Sequence, residues 1–103
     1  MSERTYLLAL EICSLTDSEQ VRHYITTSQD FSSWWNHLPF IYLLDSALDQ
    51  QAITARIHDR APEARFLLTP IDAAEVDGWL PEVSWKWLEK RARTRSSSES
   101  VLT

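Results

Sequence analysis

Glycine occurs once in these 103 residues, at Gly78, and cysteine once, at Cys13. A single glycine cannot build the glycine-rich loop that cradles a nucleotide's phosphates, which argues against nucleoside-triphosphate hydrolysis. A single cysteine cannot close a disulfide within the chain, and beside Ile12 it reads as a buried or half-buried thiol rather than a nucleophile. No serine stands in a nucleophile elbow. No apolar run approaches the ~20 residues that span a bilayer, and residues 1–12 lack the basic start and long apolar core of a signal peptide. These absences lead to the expectation of a soluble protein in the reducing cytoplasm, with no membrane partner.

Cations are also scarce over most of the chain. The net charge is −5, and it is unevenly placed: residues 1–85 carry −8 and residues 86–103 carry +3. An acidic body cannot wrap a polyanion with its whole surface, because phosphate binding depends on clustered cations. Nucleic-acid contact is therefore confined, if it occurs, to the basic segment that holds Lys86, Lys90, Arg91, Arg93 and Arg95.

Aromatic residues are abundant instead, with five tryptophans. The densest stretch is residues 31–46, FSSWWNHLPFIYLLDS. It reads as a hairpin: residues 33–37 favour a strand, Leu38-Pro39 interrupts, and residues 40–44 form a continuous apolar run of strand length. A run with no polar alternation is covered on both faces.

The remaining elements follow in order. Residues 5–12 are apolar enough for a buried strand. Thr16-Asp17-Ser18-Glu19 matches a capping box, so a helix is expected to start there, with Val21, Tyr24 and Ile25 on one face. After the hairpin, residues 47–61 carry Leu48, Ala52, Ile53 and Ile57 at helical spacing, behind a weaker cap at 46–49, and Pro62 stops them. Residues 65–71 form another strand, 72–77 an acidic loop, and Gly78 a turn. Pro81 and Glu82 suit the first turn of a last helix running to Arg93. The Ser-rich residues 94–103 have nothing to bury and read as a disordered tail.

The order βαββαβ plus a helix gives an α+β domain over residues 1–93, with the ferredoxin-like arrangement of four antiparallel strands and two helices on one face. The added C-terminal helix, or a second copy of the protein, must then cover the other face. A homodimer joined through its sheets or their edges is the expected assembly.

The Trp34-Trp35-x-His37-Leu38 strand, followed by Gly78-Trp79-Leu80-Pro81 and Trp85-x-Trp87-Leu88, resembles the small bacterial and phage proteins labelled SinR-like. These are similar, more distantly, to the CRISPR-associated spacer-acquisition subunit and to virulence-associated ribonucleases with a dimeric ferredoxin-like fold. The likeness covers about residues 5–92. Some nuclease relatives place an Asp at the end of the first strand, where one carboxylate from each subunit could hold a divalent metal, and the matching position here is Glu11. The tyrosine that often precedes that Asp is Leu10 in this chain. Two roles are open for Glu11: ligation of Mg²⁺ or Mn²⁺, or pairing with a cation at the end of the strand.

The other candidates for binding are Trp34, Trp35, His37, Lys90 and Arg93. Successive strand residues face opposite sides, so Trp34 and Trp35 cannot enter the same core. Trp85 and Trp87 on a helix diverge by about 200°. Exposed tryptophans stack on bases or planar ligands, whereas buried ones fill the core or anchor a dimer. His37 invites a general-base or ligand reading, yet His23 and His58 lack metal-like spacing to it or to Cys13. Two function classes remain. The first is a non-catalytic dimeric accessory or adaptor protein that binds a protein or small ligand and needs no cofactor. The alternative is a metal-dependent nuclease or nucleic-acid-binding protein that uses Mg²⁺ or Mn²⁺. One candidate carboxylate per subunit on an acidic body favours the first.

Overall fold

The computed structural model describes residues 3–11 and 14–91, and for His37 the backbone alone. They form an α+β structure with one four-stranded antiparallel sheet and three helices among the described residues. The chain divides into two compact units between Pro70 and Ile71.

The first unit holds β1 (Arg4–Leu10), α1 (Leu15–Thr27), β2 (Ser33–Leu38), β3 (Ile41–Ser46), α2 (Gln50–Arg60) and β4 (Phe66–Pro70). The sheet order is β2-β3-β1-β4, and every neighbouring pair is antiparallel. Each helix therefore joins two strands that have one other strand between them. The alternation of side chains along β1 builds the core. Tyr6 lies opposite Leu44 on β3 and Pro70 on β4, Leu8 opposite Tyr42 and Leu68, and Leu10 opposite Phe66. All of these side chains but the exposed Pro70 meet Val21, Tyr24 and Ile25 from α1 and Ile53 and Ile57 from α2 in one apolar cluster. The expected face of α1 and the Ile53/Ile57 stripe of α2 are the ones buried. Fully burying a side chain of this size is worth about 1.5–3 kcal/mol, so this layer is the main source of the unit's stability.

The helix ends differ from expectation in instructive ways. Ser14, not Thr16, caps α1: its Oγ accepts the Asp17 N–H at 3.1 Å. Ser14 stands three residues ahead of a carboxylate in the first turn, which satisfies an unpaired amide and places negative charge at the positive end of the dipole. The polar residues that close α1 continue it to Thr27, because the Thr26 and Thr27 hydroxyls donate back to the Arg22 and His23 carbonyls. α2 begins at Gln50, not at 47, because Asp49 Oδ1 accepts the Ala52 N–H at 2.8 Å and fixes the start.

The hairpin is present, but its break falls later than expected. Leu38 belongs to β2, and the turn is Pro39-Phe40. Phe40 thus leaves the apolar run and is partly exposed, while β3 extends through Asp45 and Ser46, both buried. Polar residues survive there because each is bonded: Thr5 Oγ1 donates to Asp45 Oδ1 at 2.8 Å, and Ser46 Oγ donates to the Asp30 carbonyl at 2.7 Å.

In the second unit, residues 72–77 are not a plain loop. Asp72 Oδ1 accepts the Ala74 N–H at 2.9 Å and opens a short 3-10 turn, Ala73–Glu75. Gly78 has φ of 154°, a backbone region that side-chain-bearing residues rarely adopt, so the only glycine stands where one is needed. Residues 82–91 form α3; the Pro81 carbonyl accepts the Ser84 N–H at 2.9 Å and makes the expected start. Ser84 and Leu88 are buried on α3, and Trp85 and Trp87 lie half-buried on either side of them. Cys13, Arg93 and the tail 94–103 lie outside the described residues.

The burial pattern makes a direct forecast. Leu8→Ala should lower the urea-derived stability by roughly 2–5 kcal/mol through lost burial and a residual cavity, whereas Leu67→Ala, on the exposed side of β4, should change it by less than about 0.5 kcal/mol. Equal losses at the two sites would contradict the assigned faces.

Candidate functional site

Large apolar side chains reach the surface together on the β2–β3 hairpin. Trp34, Leu38 and Phe40 are each 38–40% exposed. β2 is an outermost strand of the sheet, so one of its sides faces no other strand among the described residues. Trp34 lies opposite Leu44 and Trp35 opposite Leu43. The doubled tryptophan therefore splits between faces as strand alternation demands: Trp34 takes the face that carries the helices but sits at its margin, and Trp35 is buried on the other face.

The hairpin is held by Asn36. Its Nδ2 donates to the carbonyls of Leu38 and Ile41, both at 2.9 Å, and its Oδ1 accepts from Arg22 Nη1 at 3.1 Å. The register shifts between Trp35 and Leu38, and the Asn36 amide bridges that irregularity and fixes the turn to α1. The turn also meets the end of β1, where the Leu10 N–H donates to the Phe40 carbonyl at 2.8 Å.

Glu11 lies at this same end. Its backbone N–H donates to the Arg65 carbonyl at 2.9 Å, and its Oε2 faces Arg65 Nε at 2.9 Å. The carboxylate is thus engaged by a cation at the exposed strand end. No group of three or more His, Cys, Asp or Glu side chains that could hold a metal ion occurs among the described residues.

His37 lies in β2, and its side chain is outside what is described. His23 and His58 lie on α1 and α2. Lys90 is exposed on α3, in the second unit, and Arg93 lies outside the described residues. Of the proposed basic stripe, Lys86 pairs with Glu82 one turn back at 3.6 Å, and Arg91 lies over the Trp87 ring at 3.5 Å.

A second polar cluster was not singled out from the sequence. Asp30, in the turn between α1 and β2, accepts the Tyr24 hydroxyl at 2.7 Å and Arg56 Nη1 at 2.6 Å on the same oxygen. Its own N–H donates to Ser28 Oγ at 3.0 Å. The Arg60 guanidinium lies 4.1 Å from the centroid of the Tyr24 ring, and Phe31 meets that ring edge-on at 5.2 Å. The Tyr24 hydroxyl and the Arg56 guanidinium hold the Asp30 carboxyl below its ordinary range. Burial, reinforced by the Asp30 carboxylate, drives the Tyr24 hydroxyl far above its ordinary range. The cluster ties the α1–β2 turn to α2. Asp and Arg separated by 26 residues leave no local spacing signal for it, although Ser28-x-Asp30 is a recognisable turn pattern.

Comparison with known proteins finds no matching family, no matching curated protein and no matching solved structure.

The Asp30 cluster sets a pH dependence. A carboxyl with a lowered folded-state pKa contributes stability that is whole above its unfolded value of ~3.9 and is lost as pH falls through the folded value. Asp30→Asn should therefore be less stable than the parent at neutral pH and converge with it in acid, as read by urea unfolding across pH. At the alkaline end the raised Tyr24 pKa works the other way: its contribution is intact below the ordinary ~10 and is lost above it. A stability difference between Asp30→Asn and the parent that stays constant from neutral pH into acid would count against this cluster as the source.

Proposed function

We propose that the protein is a non-catalytic accessory or adaptor module of the ferredoxin-like kind, which recognises another polypeptide, a second copy of itself first of all, through the β2–β3 hairpin. The β2-β3-β1-β4 order, with each helix crossing over one intervening strand, supports the ferredoxin-like arrangement. The doubled tryptophan and the Gly78-Trp79-Leu80-Pro81 element support kinship with SinR-like proteins. The observation that carries the functional reading is the joint exposure of Trp34, Leu38 and Phe40 on an outermost strand and its turn. Aromatic side chains on an outermost strand are a means by which a sheet edge accepts a partner strand, main-chain bonds giving affinity and alternate side chains giving specificity. Trp34, the exposed aromatic residue ahead of the irregularity that follows Trp35, is the anchor. The chain's uncharged SWWN sequence also allows two copies to meet there without like-charge repulsion.

Light scattering at tens of micromolar should give twice the 12.0 kDa chain mass, and Trp34→Asp should give the monomer with unchanged circular dichroism. A monomeric parent would overturn the self-association.

The Arg65 pairing of Glu11 supports a structural role for that carboxylate. The alternative, a metal-dependent nuclease acting on RNA or DNA with Mg²⁺ or Mn²⁺, requires Glu11 to exchange Arg65 for the ion at a dimer axis. Glu11→Gln should then abolish Mg²⁺-dependent cleavage of a short RNA, while on the adaptor reading parent and variant alike leave it intact.

A further inference from the structure

The second unit presents a side chain that no feature of folding requires at the surface. Trp79 is 100% exposed and Val83 60% exposed. A tryptophan left wholly in water forfeits the largest burial available to any side chain, and the chain gives up its one glycine conformation immediately before it. A Cβ built at Gly78 would meet nothing within 4 Å, so the backbone here is not packed against a neighbour. Asp77 Oδ1 accepts the Gly78 N–H at 2.8 Å and steadies this turn.

The stretch of chain that leads into Trp79 is acidic. Residues 71–83 carry Asp72, Glu75, Asp77 and Glu82 and no Lys or Arg. Glu82 is already paired with Lys86, both being exposed, whereas Glu75 and Asp77 precede the tryptophan by four and two residues with no cation near them in the chain. The carboxylates of this stretch oppose base stacking and contact with anionic headgroups at Trp79 itself, the cations of the unit beginning only at Lys86 on α3. A cation is what the stretch attracts. The face of a tryptophan ring is the best aromatic partner for a guanidinium or ammonium group, and the same unit already makes this contact once, with Arg91 over Trp87 at 3.5 Å.

We infer that the segment 71–83 is a docking site for a basic, arginine-bearing stretch of another polypeptide, with Trp79 as the anchor, the exposed Val83 as a second apolar contact and Glu75 and Asp77 as the charges that steer the partner in. The inference does not rest on the hairpin reading: it uses a different surface, and the two can fail separately. Energetically it has the form of a small hot spot, in which one truncated tryptophan removes most of the affinity and the flanking carboxylates govern encounter and salt dependence.

The test uses the full chain labelled with fluorotryptophan, with the Trp79 fluorine resonance assigned by its absence in Trp79→Ala. The probe is a dodecapeptide of arginine and leucine on a glycine–serine background. Adding it should shift the Trp79 resonance and give a saturable isotherm. Trp79→Ala should weaken binding by about tenfold or more. The double variant Glu75→Gln, Asp77→Asn should weaken it and flatten its dependence on salt, and Trp34→Ala should leave it unchanged. Each of these substitutions lies at an exposed or partly exposed position, and circular dichroism checks that the fold is kept. Three results would each overturn the inference: no binding of the arginine peptide, binding that survives Trp79→Ala, or equal or tighter binding of an oligouridine or of phosphatidylserine vesicles.

Discussion

The position of β1 between β3 and β4 is the constraint on which the first unit depends. Because side chains alternate across a strand, one register fixes the fate of every residue on three strands at once. Tyr6, Leu8 and Leu10 enter the layer beneath the helices together with Tyr42, Leu44, Phe66 and Leu68. A slip of one residue would send that whole set to the opposite face and leave Ile53, Ile57, Val21 and Ile25 with no apolar counterpart. The helices cannot stabilise themselves at 13 and 11 residues, lengths at which isolated helices are marginal. Their caps at Ser14 and Asp49 set where they begin, and the sheet face sets that they form.

Polar groups close the structure where apolar packing ends. The α1–β2 turn would expose several backbone groups, and Asp30 gathers them: its carboxylate takes Tyr24 and Arg56, its N–H takes Ser28, and its carbonyl takes Ser46. Ser46 in turn accepts the Leu48 N–H, and Tyr6 Oη donates to the Leu48 carbonyl at 2.8 Å. A chain of bonds thus runs from α1 through the turn and β3 to the start of α2. It joins the side chains of Tyr6, Tyr24, Ser28, Asp30, Ser46 and Arg56 into a single brace, and explains why Asp30, Ser46 and Tyr24 occupy positions at which an apolar residue would leave a partner unsatisfied.

The surface carries two aromatic features of different chemistry. The hairpin's exposed side chains are uncharged and its first strand is an outermost one, which suits another polypeptide. The Trp79 segment is acidic and has no strand, which suits a cationic side chain. Both were visible as tryptophans in the sequence, and their chemistry differs because of what the backbone places next to them.

Apolar runs of strand length, helical apolar spacing and the breakers between them determined the number, kind and order of the elements in the first unit, because strands covered by helices are apolar over their length and helices bury one face. It also identified Val21, Tyr24, Ile25, Ile53 and Ile57 as the helix faces that pack. Chain pattern could not decide boundaries where a polar residue is bonded across space: Asp45 and Ser46 read as turn residues and are buried strand residues only because Thr5 and Asp30 supply partners. It could not decide that Phe40 leaves the apolar run, since Pro39 and the long-range bond from Leu10 fix the turn one residue later. Glu11 looked open to a metal or a cation, and Arg65, 54 positions away in sequence, occupies it only because β1 and β4 are neighbours. Residue types and local spacing determined which side chains could act; the strand order decided which of them meet, because contact between distant residues is a property of the sheet and not of the chain.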